Sequence, residues 1–308
     1  MRAKLLFPAL AATLLGMTAC DIEDLGGFDR YHKDFHYSYP LASGGRLAVE
    51  TFNGSVEVSG WDQDTVDISV TKYSRSQEEA DSLKIEIDNS PDLVSLRVVR
   101  TSMRRGHWGA RFVIKVPRKA LLERITTSNG AIRTVDGAGP ARLKSSNGQI
   151  HVQAFRGNLD AQTSNDPIEL LDVEGDVKAH SSNGHIRVDG LRGSLDAGTS
   201  NSSIHAKLER TSGPVRLESS NGSIDVVLPP DANVAVRANT SNNSITVHAP
   251  GTVNARLLAR TSNGSITSDS ELRMHGEFDK HHMDGVIGNG GPLIDLSTSN
   301  GNIRLLKM

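Results

Sequence analysis

The chain has 308 residues with 34 basic and 36 acidic side chains, a formal net charge of −2 at neutral pH, and is long enough for one elongated domain or two compact ones. The two signs are interspersed and no basic face is clustered, which argues against a nucleic-acid partner. One cysteine in the whole sequence excludes an intramolecular disulfide and a cysteine-built metal site.

Residues 1–19 read as a signal peptide: Arg2 and Lys4 carry charge, an apolar run from Leu5 to Leu15 follows, and small residues lead to Cys20. That run is too short to span a bilayer comfortably, and no later stretch approaches the ~20 apolar residues a transmembrane helix needs. Leu15-Gly16-Met17-Thr18-Ala19-Cys20 resembles a bacterial lipobox, with Met17 where leucine is usual. The resemblance implies cleavage before Cys20 and a diacylglycerol on its thiol, so that acyl chains hold the domain at a membrane. Asp21 resembles the residue that retains lipoproteins at the inner membrane, which favours its periplasmic face over the outer membrane. Residues 20–40 then read as the lipidated N-terminus and a tether with aromatic and histidine content.

Residues 41–120 form a β-rich N-terminal region. Period-two alternation predicts strands over 46–50, 55–59, 65–70, 83–87, 93–99 and 111–116. Ser76-Gln77-Glu78-Glu79 has capping-box spacing and predicts one short helix. Asn53-Gly54-Ser55-Val56 reads as a degenerate copy of the repeat that follows, so this region is expected to start or cap the same structure.

Residues 121–308 carry that repeat. Ser-Asn pairs place asparagines at 129, 147, 165, 183 and 201, each 18 residues after the last, and then at 221, 242, 263 and 300. Three residues after each stands an isoleucine, from Ile132 and Ile150 to Ile303, and six before the later ones stands a branched apolar residue. Asn-Gly between alternating apolar residues also suits a hairpin. Only a parallel coil explains why the same residue returns to the same place, because equivalent positions of successive coils stack about 4.8 Å apart. The expected fold is therefore an all-β parallel β-solenoid, right-handed by the general rule for parallel crossovers. Alternation points the asparagines inward beside the Ser or Thr two residues earlier, where a stacked amide ladder would satisfy them. The glycine after each asparagine suits a left-handed corner; Asp166 and Asn243 are tolerable substitutes there, whereas Ser202 has no explanation on that reading.

Taken together, the run from Thr51 to Asp62, Lys72 with Glu78-Glu79-Ala80, Val116-Pro117-Arg118, the Ser-Asn-Gly-x-Ile repeats and Gly288-Asn289-Gly290-Gly291 resemble a widespread bacterial family of unknown function labelled as candidate adhesins. The resemblance implies an extracytoplasmic repeat-built β-solenoid, often lipid-anchored, and brings no catalytic residues with it.

The sequence contains no phosphate-binding glycine loop, HExxH motif or GxSxG elbow. Asp160 and Asp196 fall on one outward column two coils apart, with Lys178 between them, slightly beyond the spacing of an inverting glycosidase pair. A column of alternating surface charge explains them more simply. Trp61 and Trp108 are the candidate binding residues, since tryptophan dominates hot spots. His275, His281 and His282, with Asp279 and Asp284 nearby, interrupt the repeat and form a weak metal candidate, while His151 and His205 are three coils apart and cannot share an ion. The sequence thus points to a non-enzymatic cell-envelope lipoprotein, a binding scaffold with no cofactor. Its expected partners are the membrane, through the lipid anchor, and an envelope protein or glycan. The alternatives are a β-helix polysaccharide-processing enzyme and an accessory of an envelope-stress sensing system.

Overall fold

A computed structural model describes residues 31–101, 108–274 and 279–308. The expected signal peptide, Cys20 and His275 lie outside the described residues.

The fold is all-β and the expected parallel β-solenoid. Each coil crosses the molecule twice, once before the asparagine corner and once after it, and so builds two ladders. The ladder before the corner runs in parallel from Leu121–Thr126 through Ala141–Lys144 and Leu159–Gln162. It continues through the distal parts of Ile168–Ser181, Ile186–Thr199 and Ile204–Ser219 to Val236–Asn239. The ladder after it runs from Ile132–Val135 through Ile150–Arg156 and the proximal parts of the same three long strands to Ile224–Val227 and Ile245–Ala249. Register matches residue type to residue type: Ile132, Ile150, Ile168, Ile186, Ile204, Ile224 and Ile245 stand over one another, all buried. With Leu143, Ala161, Val177 and Leu195 from the opposite ladder they form one continuous apolar core. A short alternating strand is favourable only if its inner face is covered, and each coil covers its neighbour's.

The N-terminal region joins the same stack. Arg46–Glu50 pairs with Leu121–Thr126, and Val56–Trp61 pairs with Ile132–Val135, adding one coil before the repeats. Leu93–Arg100 and Trp108–Pro117 lie parallel on its other side. Beyond them the direction reverses: Leu83–Ser90 runs antiparallel to Leu93–Arg100 in a hairpin, and Thr65–Ser74 runs antiparallel to the sequence-distant Trp108–Pro117. The short helix Gln77–Asp81 forms where the capping box predicts it, with the Ser76 hydroxyl accepting from the Glu79 N–H.

Four expectations need correction. First, the tether does not extend to residue 40: Tyr31–Pro40 is a ten-residue strand, antiparallel to Thr65–Ser74. Its alternation of Phe35, Tyr37 and Tyr39, which pack on the core, is a strand signal that a reading by composition overlooked. Second, the asparagines do not point inward. Asn129, Asn147, Asn165, Asn183 and Asn201 are all exposed. The ladder itself exists, running from Asn53 through Asn129 and each later corner with amide-to-amide hydrogen bonds of 2.5 to 2.8 Å. Alternation cannot be carried past Thr or Ser, where the chain is already turning. The inward hydroxyls instead donate to the corner carbonyl of the neighbouring coil, as from Thr163 to Gly148 at 3.1 Å and from Thr199 to Gly184 at 3.0 Å.

Third, the corner glycines from Gly130 onward are not left-handed; the left-handed residues stand at the opposite corner, as Asp136, Ala154, Asp172 and Gly190, with φ of 54°, 54°, 52° and 77°. Glycine follows asparagine for close approach, since a Cβ on Gly148 would stand 1.9 Å from the carbonyl oxygen of Gly130. The corner at Ser202 has no positive φ either, and nothing in the structure explains how a side chain replaces glycine there.

Fourth, spatial order departs from sequence order at the C-terminal end. Leu293–Thr298 and Ile303–Lys307 are inserted between the coil of Val236–Asn239 and Ile245–Ala249 and the coil of Ala255–Thr261 and Ile266–Ser268. The asparagine ladder follows space: Asn300 donates to Asn242 and accepts from Asn263. His282–Ile287, with Leu272–Met274, then lies antiparallel over the Ala255–Thr261 ladder at this end.

Candidate functional site

The column holding Asp160 and Asp196 is built as expected. Register runs Arg142, Asp160, Lys178, Asp196, Arg216, Arg237. Asp160 accepts from Arg142 Nε at 3.1 Å and from Gln162 Nε2 at 2.9 Å, and Lys178 separates it from Asp196. A shallow depression of about 610 Å³ over this column is also lined by Glu123 and Arg124. The carboxylates are thus set among cations and not against one another, an arrangement of paired surface charge.

The histidine insertion is placed by its aspartate. The Asp279 carboxylate accepts from the backbone N–H groups of His281 and His282 at 2.6 and 2.8 Å, and these bonds hold its pKa below the ordinary carboxylate value. Asp284 bonds Arg256 on the neighbouring strand instead. Among the described residues no three His, Cys, Asp or Glu side chains gather to hold a metal ion. His151 pairs with Glu169 at 3.1 Å, and His205 and His248 flank Asp225 at 3.2 and 3.4 Å. A further ion-paired corner joins Arg118 to Asp62 and Asp136 at 2.7 and 2.9 Å. The hydrogen bond from Arg118 lowers the Asp62 pKa.

The two tryptophans are not brought together. Trp61 is in register with Pro117, at the far end of the strand that Trp108 opens, so about 30 Å separates them at strand rise. Trp61 Nε1 donates to the Thr65 carbonyl at 2.7 Å, and Lys115 Nζ lies 5.5 Å from the ring centroid. Its indole is occupied in fastening a turn. Trp108 stacks on Phe52, centroid to centroid 5.9 Å with 25° between planes, and the Arg100 guanidinium lies 4.7 Å from its ring centroid. The Asn53 amide, first member of the asparagine ladder, donates to the Trp108 carbonyl at 2.9 Å. Phe52 is 52% exposed, a large apolar ring left in water. Sequence reasoning missed it, yet the signal was present: Phe52 stands directly before Asn53, where every later corner has serine.

The sequence profile of the family described as Toastrack DUF4097 matches residues 44–256. The chain belongs to this family. The Toastrack match starts before the regular repeats and ends at the coil next to the inserted C-terminal segment, so it covers most of the N-terminal region and the asparagine ladder from Asn53 to Asn242. No curated protein matches the sequence. Solved structures similar to this Toastrack chain include a candidate adhesin from Parabacteroides merdae, 9% identical over 89% of this chain and 96% of its own, with a TM-score of 0.40. A candidate lipid-binding protein from Parabacteroides distasonis is 14% identical over 89% and 96%, with a TM-score of 0.38. A candidate adhesin from Bacteroides fragilis is 12% identical over 89% and 97%, with a TM-score of 0.35. Membership of the Toastrack family rests on the sequence profile alone.

Proposed function

We propose that the protein is a non-catalytic lipoprotein of the cell envelope, acylated at Cys20, whose solenoid is a binding scaffold for another envelope component. The observation that carries this reading is the exposed Phe52 ring stacked on the half-buried Trp108. An exposed ring backed by a second aromatic on a corner suits a contact surface, since rigid rings give contact area with little ordering entropy. The setting of the carboxylates that an enzyme reading would use favours the non-catalytic reading: Asp160 is bonded to Arg142 and Gln162 and has Lys178 as its strand neighbour. The lipobox resemblance supports the anchor, with the periplasmic face of the inner membrane as the proposed location.

The experiment is metabolic labelling with a palmitate analogue. The expected result is a labelled, membrane-fractionated protein that loses both properties in Cys20→Ala. Label and membrane association that survive Cys20→Ala would overturn the anchoring. For the scaffold, envelope fractions are passed over the immobilised mature protein and its Trp61→Ala and Trp108→Ala variants. Binding lost with Trp108→Ala and kept with Trp61→Ala is expected; glycan turnover by the wild type, abolished in Asp160→Ala/Asp196→Ala, would overturn the non-catalytic reading.

A further inference from the structure

The contact corner has a position that identifies what it meets. Tyr31, the first described residue, is in register with Ser74, and Ser74 is in register with Trp108. Two ladder spacings, about 10 Å, therefore separate the point where the chain enters the fold from Trp108. Cys20 lies eleven residues before Tyr31, a length that reaches about 40 Å when fully extended and about 20 Å as a flexible coil. The opposite end of the solenoid, at Ile266–Ser268, lies a dozen ladder spacings from Tyr31–Pro40, roughly 60 Å away. An anchor at Cys20 thus lets the Trp108 corner reach the bilayer and places that corner much nearer the anchor than the far end.

The chemistry of the corner suits that neighbour. Phe52 presents an exposed ring stacked on the half-buried Trp108, and an indole with one apolar and one polar edge is favoured at the boundary between headgroups and hydrocarbon. Arg100 lies over the Trp108 ring, so a cation stands beside the rings where phosphate groups would lie. A diacylglycerol anchor already carries two acyl chains, so a second contact of this kind orients the domain on the bilayer instead of retaining it there. At no later corner does an aromatic residue replace serine before the asparagine, so the feature is confined to the coil nearest the tether.

We infer that the Phe52–Trp108 corner, flanked by Arg100, is a second membrane contact that lays this end of the solenoid on the phospholipid headgroup surface. The inference rests on the proposed anchoring at Cys20 and names the partner of the same corner.

The sequence has two tryptophans, which makes the test specific. The acylated full-length mature protein is reconstituted in vesicles of phosphatidylcholine and phosphatidylglycerol with brominated acyl chains. In Trp61→Phe only Trp108 emits, and in Trp108→Phe only Trp61. The expected result is emission at least halved by the brominated lipid in Trp61→Phe and changed by less than a tenth in Trp108→Phe. Adding Phe52→Ser to Trp61→Phe, which installs the residue that every later corner carries, is expected to restore most of the emission. Trp108 unquenched in protein that floats with the vesicles and carries acyl chains by mass would overturn the membrane contact and leave the anchoring intact. A Cys20 without acyl mass would overturn the anchoring, and Trp108 quenched in such a protein at millimolar lipid would still support the contact. Trp108 shielded by added envelope glycan, and not by vesicles, would assign the corner to a glycan and overturn the lipid contact.

Discussion

At the scale of single residues the structure separates side chains that look alike in the repeat. Ile186 and Asn183 recur with equal regularity, but Ile186 is buried and Asn183 is exposed. Ile186→Ala should cost about 2–5 kcal/mol through lost burial and a cavity. Asn183→Ala breaks the amide bonds to Asn165 and Asn201, where water can substitute, and should cost about 0.5–1.5 kcal/mol. Denaturant unfolding of the two variants checks the contrast, and equal losses would mean that the asparagine is buried after all. Ala154 is held at φ 54°, a region that penalises any Cβ. Ala154→Gly should raise stability by about 0.5 kcal/mol, the relief of strain outweighing glycine's entropy; a lower unfolding midpoint would contradict the left-handed corner. Lys72 is buried, its ammonium donates to the Leu83 carbonyl and lies 4.8 Å from the Phe35 ring centroid. Desolvation, with Lys33 adding repulsion against a smaller pull from Asp81, lowers its pKa. The folded state therefore releases this proton at lower pH than the unfolded chain, and stability rises with pH between the folded and the ordinary lysine values. Wild type should gain on Lys72→Met between pH 7 and 10 in paired thermal melts, and a constant difference would show no shift.

At the scale of elements, legibility followed periodicity. The 18-residue interval and the isoleucine column placed every coil from Leu121 to Ala249, because strict recurrence admits one stacking partner for each position. The Ser76 capping box placed the helix, because its two capping side chains act within one turn. The strand Tyr31–Pro40 was lost because its histidines and charges, which face solvent at a sheet edge, dilute the alternation of Phe35, Tyr37 and Tyr39. The inward asparagine was lost because strand parity was carried into a turn. The inserted coil was not legible at all: Ile294, Leu296, Ile303 and Leu305 fit a coil at either position, and only three-dimensional closure decides between them. Insertion has an energetic consequence. Without residues 293–308, Val236–Asn239 and Ala255–Thr261 present unpaired edges to each other across a vacated coil that buried Ile294, Leu296, Ile303 and Leu305. Truncation after residue 292 should abolish the single cooperative melt and promote self-association through those edges. A synthetic peptide of residues 290–308 should restore the melt. A truncated protein that melts like wild type would place these strands at the end of the stack.

At the scale of the molecule, the solenoid is a rod whose ends carry antiparallel strands, Tyr31–Pro40 and Leu83–Ser90 over both ladders at one end and His282–Ile287 with Leu272–Met274 over the Ala255–Thr261 ladder at the other. These strands limit the edge pairing that would otherwise extend parallel coils from molecule to molecule. The candidate site was half legible in the sequence. Trp108 stood out by residue type, whereas Phe52 became visible only once the structure put it in the serine column, and Trp61 proved to be bound to its own turn. The stacking order of the coils is the claim on which the core, the ladder and the rod all depend, and paired cysteines test it most directly. In a Cys20→Ala background, Thr246→Cys/Arg304→Cys joins residues that are register partners in adjacent coils, within disulfide reach. Thr246→Cys/Thr267→Cys joins residues that the inserted coil holds apart, about 10 Å at ladder spacing. Mild oxidation should cross-link the first pair and leave the second free; the reverse pattern would contradict the inserted coil and return the stack to sequence order.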